Sequence, residues 1–154
     1  MRVDASLAVD HAEAVGRALL ARIAADEAAA DETRAAIERD GLPSVQEADA
    51  EGLLDAGERV VAVRPGVTVA VVDATPDVGT TRGDRVGRLY VTDRRLVVSG
   101  SDPLSVLLGA IEELSVAGER LLVALRDGSG VSVDVPRPRE LRVLIAAALA
   151  SARA

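Results

Sequence analysis

Cysteine, lysine, phenylalanine and tryptophan are missing from this chain of 154 residues, and histidine and tyrosine occur once each, as His11 and Tyr90. Each absence removes chemistry. Without cysteine there is no disulfide and no thiolate nucleophile or ligand, which fits a reducing, cytoplasmic setting. Without lysine, the glycine-rich stretch GTTRGDRVG cannot be a phosphate loop of the P-loop type, and no Schiff base can form. One histidine cannot furnish a zinc site. No catalytic residue, metal or cofactor is therefore expected. A single aromatic ring leaves nothing for nucleic-acid bases to stack on. The formal net charge of −7 opposes phosphate backbones and anionic membranes alike. Nucleic acid is not expected as a partner, and a membrane is disfavoured. No run approaches the ~20 apolar residues of a spanning helix, and the N-terminal MRVDASLAVDHAEAVG carries acids where a secretory leader needs an apolar stretch.

What remains is enough for a core. Apolar residues make up 49% of the chain, so packing falls to Val, Leu, Ile and Ala. Residues 1 to about 40 are rich in Ala, Glu, Asp and Arg and read as helix. Ala12, Val15, Leu19, Ile23, Ala30 and Ile37 recur at helical spacing and form one thin apolar stripe. Such a stripe cannot bury itself. It packs either on the rest of the chain or on a second copy, and Val15, Leu19 and Ile23 are the expected self-association residues of a homodimer. Gly16 and the polar DEAAADE are expected to bend or split the segment. Gly41 and Pro43 stop it. Ser44 and Glu47 have capping-box spacing and predict a further short helix.

From Val60 onward the pattern is that of strands. RVVAVR and VTVAVV flank Pro65-Gly66, an ordinary turn signal. A long polar stretch, DATPDVGTTRGDRVG, follows and is expected to be an irregular loop. Arg82, Arg85 and Arg88 give it the densest positive charge in the chain. RLYVT and RLVVSG come next, then two strands joined near Gly109. RLLVALR and VSVDV flank DGSG, a hairpin signal. In the final PRELRVLIAAALASARA, the residues Leu141, Leu144, Ile145, Ala148 and Leu149 share one helical face. Seven short strands and one amphipathic helix predict an α+β fold: a small barrel or curled antiparallel sheet with the helix over an open end.

Crowded acids at Asp49, Glu51, Asp55 and Glu58 lack the Asp-x-Asp-x-Asp-Gly order of a calcium loop and read as solvated surface. His11 reads as a solvated helix residue. In GRLYVTDRRLVV, the polar Thr92-Asp93-Arg94-Arg95 reads as the turn between two strands. Arg94 and Arg95 are adjacent strand-end residues that point to opposite faces, so they cannot share one phosphate.

Three patterns together resemble bacterial PH-like and GRAM-like domains. They are Leu54-Asp55-Ala56-Gly57-Glu58-Arg59-Val60, the run from Gly87 to Leu96 just quoted, and the step Leu108, Ile111, Leu114. The resemblance covers residues 53–154 and leaves 1–52 as a helical extension. It implies a PH-like curled barrel of seven strands with a C-terminal capping helix, and a non-enzymatic module that binds proteins, peptides or lipids. Of these, a protein-binding or scaffold role is the first expectation. The alternative is a peripheral lipid-headgroup binder using Arg82, Arg85 and Arg88. Arg64 is the lone cation near the first turn, unlike the basic hairpin of lipid-binding members.

Overall fold

The computed structural model describes residues 5–50, 52–73 and 81–153, with only the backbone described at 5 and 81–83. One helix, α1 (Ala5–Asp40), precedes the sheet. The strands are β1 (Val60–Val72), β2 (Thr81–Thr92), β3 (Arg95–Ser99), β4 (Leu104–Leu107), β5 (Ile111–Ala117), β6 (Arg120–Leu125) and β7 (Gly130–Asp134), and α2 (Pro138–Arg153) closes the order. They form one antiparallel seven-stranded sheet in the order β4-β3-β2-β1-β7-β6-β5. With α2 over it, this is the α+β arrangement of seven antiparallel strands and a C-terminal helix that the sequence predicted.

The sheet curls because β1 changes partners along its length. Its first half pairs only with β2, whereas Thr68 to Val72 pair with both β2 and β7. Pro65 and Gly66 mark the change. They are not a turn between two strands, as the sequence predicted, but an irregularity inside one, where the register shifts between Arg64 and Val67. Proline has no N–H to give the ladder, and Gly66 takes a φ of +63°, which a side chain resists. A bulge bends the strand while keeping it in the sheet.

Three other expectations change. Helix α1 is unbroken over 36 residues despite Gly16; helix formers on both sides carry it through, at a cost of about 1 kcal/mol for the glycine. Gly41, with φ +82°, ends it, and its N–H bonds the Ile37 carbonyl at 2.8 Å. The Ser44–Glu47 spacing makes no capped helix. The Val45 N–H instead bonds the Val60 carbonyl at 2.8 Å, which holds that stretch extended beside β1, and a single 3-10 turn at Ala48–Ala50 follows. Finally, the predicted loop is shorter. Residues 81–87 belong to β2, paired against Val67 to Val72, while residues 74–80 lie outside the described residues.

The core lies between the curled sheet and α2. Val67, Val69, Leu89, Val91, Leu121, Val123 and Val133 enter it from the strands, and Leu141, Leu144, Ile145 and Ala148 from the helix. The alternation along β2 sends Tyr90 to the opposite face. There it meets Val60 and Val97 under Ala50, Leu53 and Leu54 of the entry segment. The one aromatic ring thus anchors a second, smaller cluster on the outside of the sheet.

Candidate functional site

The polar turn at Thr92–Arg95 is where chemistry was most worth seeking. Thr92 accepts the N–H groups of Arg94 and Arg95 at 3.1 and 2.9 Å, which closes the turn between β2 and β3. Asp93 and Arg59 exchange two bonds: the Asp93 N–H donates to the Arg59 carbonyl, and the Arg59 N–H to Asp93 Oδ1, each at 3.0 Å. Leu96 and Val98 face the core.

Arg95 points to the other face and is not free there. Its guanidinium grips Glu58 in a two-pronged bond, Nε to Oε2 and Nη2 to Oε1, both 2.9 Å, and Nη2 also donates to the Leu53 carbonyl at 2.7 Å. Glu58 further accepts the Thr92 hydroxyl at 2.7 Å and the Asp55 N–H at 3.0 Å. Its side chain has no exposed surface. The Arg95 guanidinium, aided by Thr92 and the Asp55 N–H, outweighs burial and lowers its pKa to about 2; Arg95 is correspondingly raised, chiefly by its bond to Glu58. Glu58 is therefore not solvated surface, as its crowding with other acids predicted. Every lone pair it offers is directed at a donor from its own chain, so the group is a clamp fastening residues 53–58 over Tyr90.

The arginines read as a headgroup cluster are dispersed. Arg85 and Arg88 stand three apart on β2 and so face opposite sides of the sheet. Arg85 Nε donates to Asp102 Oδ2 at 2.6 Å; Arg88 Nη1 donates to Glu47 Oε1 at 3.1 Å and Asp49 Oδ2 at 3.4 Å. The Arg82 side chain lies outside the described residues. Among the described residues no group of acids, histidine or cysteine could hold a metal, and no helix is long and apolar enough to cross a membrane.

Helix α1 divides into two halves with different surroundings. Residues 22–40 lie along α2. Arg22 pairs with Glu119 at 2.7 Å beside the β5–β6 turn. Asp26, 3% exposed, accepts the N–H groups of Arg139 and Glu140 at 2.8 and 3.0 Å. It thus caps α2 from another helix, placing an anion where the helix dipole is positive. Pro138 supplies a preset φ at that start. Arg64 holds Glu140 at 2.8 Å, Ala30 is buried, and Ile37 packs on the core. Ile23 borders the cleft formed with Pro136 and Pro138. The polar DEAAADE was expected to bend the helix; its Asp26 docks it instead.

Residues 5–21 extend past this contact. At 1.5 Å per residue they add about 25 Å of helix. Residues 6–15 are all exposed, His11 among them, and Leu7, Val9, Val15 and Leu20 are 67, 55, 53 and 66% exposed. Leu19 is half-buried. Of the three residues read as a self-association stripe, Ile23 is turned to the body while Val15 is open.

The sequence did not single out Glu58, Asp26 or Glu140 for these roles. Asp26 left one trace: it falls three residues after Ile23 and four before Ala30, squarely on the apolar stripe. An acid on such a face must find a donor.

No family model matches the chain, and no curated protein matches it. Among solved structures it is similar to the C-terminal domain of an unknown protein from Leishmania infantum, at 15% identity over 61% of this chain and 87% of that one, with a TM-score of 0.44. It is also similar to the pleckstrin homology domain of USP37, at 19% identity over 57% of this chain and 95% of that one, with a TM-score of 0.42.

Proposed function

We propose that this chain is a non-enzymatic, protein-binding module in which a PH-like platform (residues 53–154) carries a helical extension (residues 1–52) whose projecting half meets a partner. One observation supports this above the others. The apolar row of the docked half of α1 runs on through Leu19, Val15, Ala12 and Ala8 of the projecting half, where Val15 is 53% exposed. An apolar row left open along an ordered, extended element marks an interaction surface.

The lipid-headgroup reading has less behind it. It asks Arg85 to leave Asp102, and Arg88 to leave Glu47 and Asp49, in a chain of net charge −7. The Glu58–Arg95 clamp offers no vacancy for a ligand or substrate.

A photo-crosslinking residue at position 15 of the full chain is expected to capture protein in the producing cell. Ala8→Asp with Ala12→Asp, on the same helical face as position 15, should abolish the capture while leaving the melting temperature within about 3 °C, since neither side chain is packed. Capture from position 122, on the sheet, with none from position 15 would put the partner on the platform and end this reading.

A further inference from the structure

We infer that the partner of the projecting half of α1 is a second copy of this chain, lying antiparallel to it about a two-fold axis between residues 13 and 14. The inference rests on the interaction surface proposed above and names its occupant.

Three features lead to it. The first is continuity. The row of α1 that packs on the body through Ile23, Asp26, Ala30 and Ile37 runs on, at spacings of three and four, through Leu19, Val15, Ala12 and Ala8. The same helical face that is an interface in one half is open in the other.

The second is self-complementarity. In an antiparallel pair centred between residues 13 and 14, position i meets position 27 − i of the other copy. Ala8 then faces Leu19, and Ala12 faces Val15, so each layer sets a small side chain against a large one. Such alternation lets helices interdigitate. Asp10, Glu13 and Arg17 fall on the far side of the helix, and Arg22, at the end of the overlap, is already paired with Glu119, so no unpaired charge enters the centre of the contact.

The third is Gly16. A glycine inside a helix weakens it, and a Cβ built here would find nothing within 4 Å among the described residues, so no described neighbour requires it. In the antiparallel pair it borders the row beside Val9 of the other copy, where a bare backbone gives the exposed Val9 a place to sit.

Length agrees with this placement. The pairing brings Ala5 beside Arg22 of the other copy, an overlap of about 27 Å. It ends where Arg22 and Asp26 begin their contacts with Glu119 and with α2. The two bodies therefore sit at opposite ends of the helix pair without competing for the same stretch. So short an overlap predicts a dimer that forms with rising concentration rather than a permanent one.

The chain's lack of cysteine makes the test clean. Full-length Ala8→Cys and Leu19→Cys chains are made separately, and light scattering follows the wild type from about 10 μM to about 1 mM, the range in which weak dimers form. The expected result is a mass rising towards two chains, and a disulfide-linked dimer that appears when the two variants are mixed but not in either alone. If each variant cross-links by itself, the helices run parallel and the inferred pairing is wrong, while the projecting half stands as the interaction surface. A wild type that stays monomeric throughout, with no cross-link on mixing, excludes a second copy. Capture of a different protein from position 15 would then preserve the broader reading, and its absence would remove both.

Discussion

Replacing Glu58 with Gln is expected to lower the unfolding free energy by about 3–5 kcal/mol at neutral pH, the usual cost of leaving one half of a buried ion pair uncompensated. Arg95 would remain with no anion on a face that Leu53 and Leu54 cover. Native domains hold only about 5–15 kcal/mol in all, so the variant should unfold at visibly lower urea. The wild type's pH dependence follows from the same carboxylate. Its pKa is 4.5 when unperturbed and about 2 in the folded chain. A group depressed by folding stabilises fully above its unfolded pKa and loses that contribution as pH falls through the folded value. The shift corresponds to about 3 kcal/mol. Urea titrations of wild type and Glu58→Gln should therefore differ most near pH 6 and converge between about pH 4.5 and pH 2. A gap that stays constant across that window would show that the charge on Glu58 does not fasten the entry segment.

Gly87→Ala is expected to be as damaging, for a steric reason. A Cβ at Gly87 would lie 1.8 Å from the Ser99 carbonyl oxygen and 3.0 Å from its carbon. These are backbone atoms of the adjacent strand and cannot swing aside, so β2 and β3 would have to part. Overpacking by one methyl typically costs ~1–3 kcal/mol; with backbone on the other side the upper end or beyond is expected. Gly109→Ala is the control, because a Cβ there meets nothing within 4 Å. Urea unfolding of the two variants should differ by at least about 3 kcal/mol. Equal midpoints would show that β2 and β3 do not approach as closely as described.

Much of this architecture could be read from pattern. Val67 and Val69, and again Val131 and Val133, alternate with more exposed neighbours because one face of each strand meets the core. The apolar face of the last helix was equally plain, as was the stop at Gly41. Errors came where a local signal met a distant partner. Pro65-Gly66 has turn chemistry, yet β2 runs past it on one side and holds both halves in line. Ser44 and Glu47 have the spacing of a cap, yet Val60 claims Val45 and Arg88 claims Glu47.

The candidate site was less accessible for the same reason. Glu58 meets Arg95 from 37 positions away, and Asp26 meets the Arg139 amide from 113. Nothing in the spacing around Asp55 and Glu58 distinguishes the carboxylate that is buried from those in water. The placement of Asp26 on the apolar stripe was the one sequence feature that pointed to a hidden donor. The stripe itself was visible throughout. Its division between an inner half that docks and an outer half that projects depends on where α2 begins, which spacing alone does not disclose.

Hydrogen–deuterium exchange along α1 of the full-length wild type tests the central claim most directly. At low micromolar concentration, amides of residues 22–40 should be as protected as those of α2, while residues 5–21 exchange within seconds, as an unsupported helical half does. At high concentration the outer half should gain protection and the inner half should not change. Uniform protection of residues 5–40 in the dilute sample, or rapid exchange of residues 22–40 at any concentration, would contradict the account.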